Sequence, residues 1–189
     1  MRHKYETHGI VLSRAPVGEM SASVALLTSD IGLVYARAQS VRRSGAKLAP
    51  ALATFTESDL TLVRGKEWWR VAGAVRKENW CTRMCVASAR TRAARISGLL
   101  LRLVAGEASN AALFPIITGF FEALATLPKE IHESAETLAA LRLLAALGLD
   151  EGGVPGEASA FTPPLLAAIA GERASYIARI NRGIAASGL

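Results

Sequence analysis

Three kinds of side chain in this 189-residue sequence could do chemistry: two cysteines, three histidines, and many arginines and lysines interleaved with aromatic rings. Cys81 and Cys85 are spaced four apart, which on a helix puts both thiols on one face and suits half of a metal site or a redox pair. Two thiolates do not close a tetrahedral zinc site, and His3, His8 and His132 are far away in sequence. The expectation is of ordinary helical cysteines acting as small buried hydrophobes, with no metal and no cofactor. No G-x-S-x-G or P-loop occurs, and Gly65-Lys66 lacks the flanking glycine and hydroxyl residue of a Walker A loop. His8 falls within a strand pattern with no nucleophile signature around it. The chain is therefore expected to be non-catalytic.

The cations are more informative. If the strand at 67–76 alternates, Trp68, Arg70, Ala72, Ala74 and Arg76 share one face, while Trp69, Val71, Gly73 and Val75 share the other. The second set reads as core. Trp68, Arg70 and Arg76 are then exposed, as are Tyr35 and Arg37 on an earlier strand. Cations track phosphates and flat rings stack on unpaired bases, the combination that holds single-stranded nucleic acid. Arg42, Arg43 and Lys47 add three charges and the flexible Gly45 in a loop placed to wrap a strand. With Arg14 and Lys66, these residues form the candidate nucleic-acid surface.

The elements that must position them change character along the chain. Residues 5–14, 21–28, 33–41, 55–63 and 67–76 read as strands, separated by turns at 15–19, 29–32 and 64–66. Five short strands in about 80 residues suit a small closed barrel, because closure removes exposed sheet edges. Beyond residue 79 the period becomes helical: Val86, Ala89, Ala93, Ile96, Leu100 and Leu103 form one apolar stripe with the arginines off it. Further helices are expected at about 110–126, at 134–147 with Gly148 as cap, and from 164 onward with a break near Gly171. The fold class is α+β, with a barrel domain at 1–79 and an all-helical domain at 80–189.

Charge is polarised along the chain. Residues 1–105 hold 17 Lys and Arg against 7 Asp and Glu, whereas 106–189 hold 5 against 9, within an overall formal charge of +6. A concentrated positive field favours a polyanionic partner. The most apolar stretches are interrupted by Arg102 and Pro115, short of the roughly 18 uncharged residues of a spanning helix. No secretory signal follows the basic start, so a cytoplasmic, nucleoid-associated location is expected, with no membrane partner.

A family resemblance sharpens this reading. The run Tyr5-Glu6-Thr7-His8-Gly9-Ile10-Val11-Leu12-Ser13-Arg14 is followed by Gly18-Glu19, Leu26-Leu27-Thr28, Gly32-Leu33, Ala36-Arg37 and Arg42-Arg43-Ser44. Lys47-Leu48-Ala49-Pro50-Ala51-Leu52, Phe55 and Leu62-Val63-Arg64-Gly65-Lys66 complete the pattern. In order and spacing it resembles the N-terminal domain of the bacterial recombination mediator family RecO, across most of residues 4–76. The segments at 141–149 and 181–185 are more faintly similar to the family's helical domain. The resemblance implies an oligonucleotide-binding (OB) fold followed by helices, without catalysis. It also implies binding to single- and double-stranded DNA, annealing, and help in loading RecA onto DNA coated by the single-stranded-DNA-binding protein. RecR is a further implied partner, and the helical domain is implied to take the acidic tail of the single-stranded-DNA-binding protein. An acidic tail with a hydrophobic end needs an apolar groove rimmed by cations. Arg90, Arg92, Arg95, Arg102 and Arg142 are the candidates.

Many family members carry a four-cysteine zinc site after the segment corresponding to 141–149. Here that place reads Asp150-Glu151-Gly152-Gly153-Val154-Pro155-Gly156, so a short form with a reduced helical domain and no zinc is expected. Two other readings share the charge pattern: an RNA-binding OB module, and a helical interaction scaffold whose barrel is structural.

Overall fold

The computed structural model describes residues 3–66, 68–104 and 106–188. It divides into two compact units, Met1–Thr82 with Gly106–Phe114, and Arg83–Ala105 with Pro115–Leu189.

The first unit is a closed five-stranded barrel built from β1 (Lys4–Val17), β2 (Ser21–Thr28), β3 (Gly32–Ala38), β4 (Thr56–Arg64) and β5 (Trp69–Asn79), an OB fold in the order β1-β2-β3-β5-β4. Four seams are antiparallel; the fifth, β3 to β5, is parallel and pairs Ala36 with Trp69 and Arg37 with Arg70. Inward residues alternate along each strand, so Val24, Leu26, Val34, Ala36, Leu60, Leu62, Trp69 and Val71 fill the interior. Gly32 has φ of 85°, and a Cβ there would lie 2.0 Å from the Ala108 carbonyl oxygen. Only glycine lets the segment 106–114 return to the barrel, where Leu33 and Ala108 exchange backbone hydrogen bonds of 2.9 and 3.1 Å.

The strand at β5 departs from strict alternation. Thr61 pairs with Gly73 and Leu62 with Val71, leaving Ala72 as an extra residue in a bulge. A bulge inverts the face of everything beyond it. Ala74 therefore packs against the core and Val75 is 65% exposed, the reverse of the expected assignment.

The second unit is helical. α1 (Trp80–Arg83) is a single turn leading out of the barrel, followed by α2 (Ala87–Leu103), α3 (Leu113–Thr126), α4 (His132–Ala146), α5 (Pro163–Gly171) and α6 (Arg173–Ala186). The stripe Ala89, Ala93, Ile96 and Leu100 is buried as its spacing predicts, while Val86 stays exposed just ahead of the helix. α4 is apolar on nearly every side because α2, α5 and α6 all pack against it. Gly148 takes φ of 72° just beyond α4. Because α1 ends at Arg83, Cys81 and Cys85 do not share a helix; both are exposed rather than buried. Among the described residues, no helix is long and apolar enough to cross a membrane, and no cluster of three or more His, Cys, Asp or Glu is placed to hold a metal.

Candidate nucleic-acid interface

The β3 to β5 seam brings the aromatic and basic residues together. Ser23 pairs with Arg37 and Arg37 with Arg70, so one rung carries two exposed guanidiniums side by side. Tyr35 lies two residues from Arg37 on the same outward face and is half-buried, which pushes its hydroxyl pKa up. Between β4 and β5, Gly65 donates its backbone N–H to the Trp68 carbonyl at 3.0 Å, and a Cβ on Gly65 would approach that oxygen to 2.5 Å. This tight turn delivers Trp68, 50% exposed, against the Arg37 guanidinium, 5.4 Å from the ring centre. Trp69, one residue on, points into the barrel and is 5% exposed.

The basic loop after β3 is folded rather than extended. Backbone bonds from Arg43 to Ser40, Ala46 to Arg43 and Ala49 to Ala46 wind residues 40–49 into consecutive turns, anchored by the buried Val41. Arg42 donates to the Gly18 carbonyl at 2.7 Å, the Arg43 Nε approaches the Met20 sulfur at 3.0 Å, and Arg14 donates to the Val41 carbonyl at 3.3 Å. Three expected site residues thus tie β1 and the β1–β2 turn to the loop. Lys47 and Lys66 are exposed on that loop and on the β4–β5 turn.

Two other cations of the barrel unit are neutralised. Arg64 meets Glu107 at 2.7 Å and Lys77 meets Asp59 at 2.8 Å. Among the described residues, Arg14, Arg37, Arg42, Arg43, Lys47, Lys66 and Arg70 make no ion pair. Arg76 is exposed too, but it pairs with Ser58, six residues along β5 from Arg70. That separation is roughly 20 Å at about 3.3 Å per residue, so Arg76 stands apart from the group.

A second polar cluster escaped the sequence reading. His8 on β1 faces β4, with Nε2 2.5 Å from Glu57 and Nδ1 2.9 Å from Asp59. The Trp80 indole N–H donates to Glu57 at 2.6 Å, and the Phe114 ring lies 5.9 Å from the imidazole. Burial disfavours a charged His8, but the bonds to Glu57 and Asp59 outweigh it and raise its pKa. Pairing of His8 with Asp59 is a matter of strand register, which no local motif announces.

Residues 1–75 match the family described as Recombination protein O N terminal. Over these residues the barrel is similar to the N-terminal domain of RecO proteins. A DNA repair protein RecO of Dehalococcoides mccartyi is 28% identical over 122 residues, covering 65% of this chain and 48% of that protein. The corresponding protein of Acaryochloris marina is 35% identical over 80 residues, 42% of this chain and 27% of its own length, and that of Gloeobacter violaceus is 37% identical over 62 residues, 33% and 24%. The chain thus spans about half the length, or less, of these curated relatives.

In the helical unit, the five arginines expected to rim a peptide groove are mostly occupied. Arg90 donates to the Met84 carbonyl at 2.6 Å, and Arg92 and Arg95 both bind Glu136. Arg142 is only 4% exposed; it donates to the carbonyls of Ala158 at 2.9 Å and Pro155 at 3.0 Å, and lies 4.7 Å from the Phe161 ring centre. Burial lowers its pKa to about 10, still far above neutrality. It is a buried clamp, because Phe161 and the loop carbonyls close over it. Arg102 alone of the five is exposed without a described ion pair. The stretch 150–156 has no thiol with which to hold a metal. Asp150 instead binds Arg179 at 2.5 Å.

Proposed function

We propose that this chain is a non-catalytic DNA-binding protein of DNA repair that holds and anneals single-stranded DNA on its barrel. The observation that carries the reading is the Arg37 guanidinium against the half-exposed Trp68 ring, set among cations that no carboxylate of the described residues neutralises. An unpaired cation keeps its full attraction for phosphate, and an accessible indole offers a stacking face to a base. The site also lies where OB folds present their strands and turns to oligonucleotides. The names of the relatives agree with a repair role. Within it, the chain assists RecA loading on DNA coated by single-stranded-DNA-binding protein, with that protein and RecR as partners and duplex DNA as a second ligand.

The test is annealing of complementary strands precoated with single-stranded-DNA-binding protein. Accelerated annealing, lost in a Trp68→Ala, Arg37→Ala variant, is the expected result. Binding of an RNA oligonucleotide in clear preference to DNA of equal sequence would overturn the DNA assignment.

A further inference from the structure

At the end of the barrel, beside the β1–β2 turn, Arg14, Pro16, Ala22 and Arg42 line one open cleft of about 250 Å³. Its two guanidiniums are not loose. Arg14 spends one N–H on the Val41 carbonyl and Arg42 one on the Gly18 carbonyl, at 3.3 and 2.7 Å, and the Arg42 backbone N–H is itself bound to the Met20 carbonyl at 3.1 Å. Each guanidinium has five N–H donors, so most remain for a ligand while the tether has already removed much of the side chain's freedom. Neither arginine has a carboxylate partner among the described residues. Two tethered, unneutralised forks lining one cleft match the oxygens of a tetrahedral phosphate. The cleft's volume admits one phosphate with several waters of roughly 30 Å³ each.

Ala22 pairs with Ala38, one rung beyond the Ser23 to Arg37 rung and on the opposite, inward face, and Arg14 shares that face through its pairing with Val24. The cleft therefore opens at the end of the barrel, apart from the outward-facing Arg37 and Trp68.

From this geometry we infer that the Arg14–Arg42 cleft is a subsite at the end of the barrel for a single backbone phosphate of the bound strand. The inference rests on the DNA-binding reading and adds to it a fixed register: one linkage of the strand is held in a formed cleft, while other phosphates meet exposed cations. The contact is to phosphate, so it carries no base preference.

The experiment is a walk of a single neutral methylphosphonate linkage along a short oligonucleotide, bound by the full chain and followed by fluorescence anisotropy. The wild-type chain is expected to show one linkage whose neutralisation weakens binding roughly tenfold, the scale of a lost charge-assisted contact. Arg14→Gln with Arg42→Gln, which keeps an amide donor near each carbonyl, is expected to lose sensitivity at that linkage only. The salt slope should also flatten by about 0.7, one single-strand phosphate. Arg14→Lys with Arg42→Lys, which keeps both charges without the forks, is expected to retain the slope but blunt the single-linkage effect. An unchanged linkage profile in the Gln variant, with its thermal melting intact, overturns the subsite. Failure of the wild-type chain to bind single-stranded DNA at low salt instead overturns the underlying reading.

Discussion

The Arg37 guanidinium lies 5.4 Å from the centre of the Trp68 ring, although Arg37 sits on β3 and Trp68 ends the β4–β5 turn. The parallel register of Arg37 with Arg70 creates this meeting. Trp69 and Trp80 are 5% and 6% exposed, so Trp68 is the tryptophan open to a ligand. Intrinsic fluorescence should therefore fall on adding single-stranded DNA, and Trp68→Ala should abolish the quench. Stacking contributes roughly 1–3 kcal/mol per base, so the same variant should bind about 5- to 150-fold more weakly. A persisting quench would show that another tryptophan reports binding and that Trp68 is not the platform.

Arg70 and Arg76 test the extent of the surface. Both are exposed arginines of β5, and Arg70 adjoins Arg37 while Arg76 lies opposite Ser58. Arg70→Ala should lower the slope of log affinity against log salt by about 0.7, and Arg76→Ala should leave it unchanged. Equal effects would mean that the strand runs the full length of β5.

The five strands were legible because alternation and glycine turns are local signals, and the helical stripe from Ala89 to Leu100 was legible for the same reason. What escaped depends on partners remote in sequence. The faces of Ala74 and Val75 are set by a bulge against Thr61 and Leu62. The arginines read as groove cations are satisfied by Glu136, more than forty residues away from Arg92 and Arg95, and by carbonyls that follow Arg142 by 13 and 16 residues. Residue type predicted that these side chains would be cationic, but only packing decides whether a cation is spent.

His8 makes barrel stability depend on pH. Its folded-state pKa is raised above 6.5 by Glu57 and Asp59 against the opposing effect of burial, so its contribution is complete below pH 6.5 and is lost as pH rises through the folded value. Asp59 titrates oppositely: Lys77 first, then His8, hold its pKa below 3.8, so its contribution is lost only in acid. Melting temperature should therefore decline from pH 6 to 8 in the wild-type chain. His8→Asn should melt lower at pH 6 and lack most of that decline. An identical profile in the variant would assign the pH dependence to other groups.

Arg142 should matter for stability and not for DNA. Its guanidinium holds the Pro155 and Ala158 carbonyls and lies over the Phe161 ring, joining the loop to α4. Arg142→Met keeps much of the volume but leaves two carbonyls without their donor, and hydrogen bonds to a charged group are worth roughly 1.5–3 kcal/mol each. Partial access of water to the loop offsets part of that loss, so a destabilisation of about 2–3 kcal/mol is expected in chemical denaturation. Lysine cannot span both carbonyls with a planar fork, so Arg142→Lys should recover little of it. Limited proteolysis should then open the chain first within residues 150–160. Weakened DNA binding in a folded Arg142→Met chain, with unchanged stability, would instead place this arginine at a ligand surface.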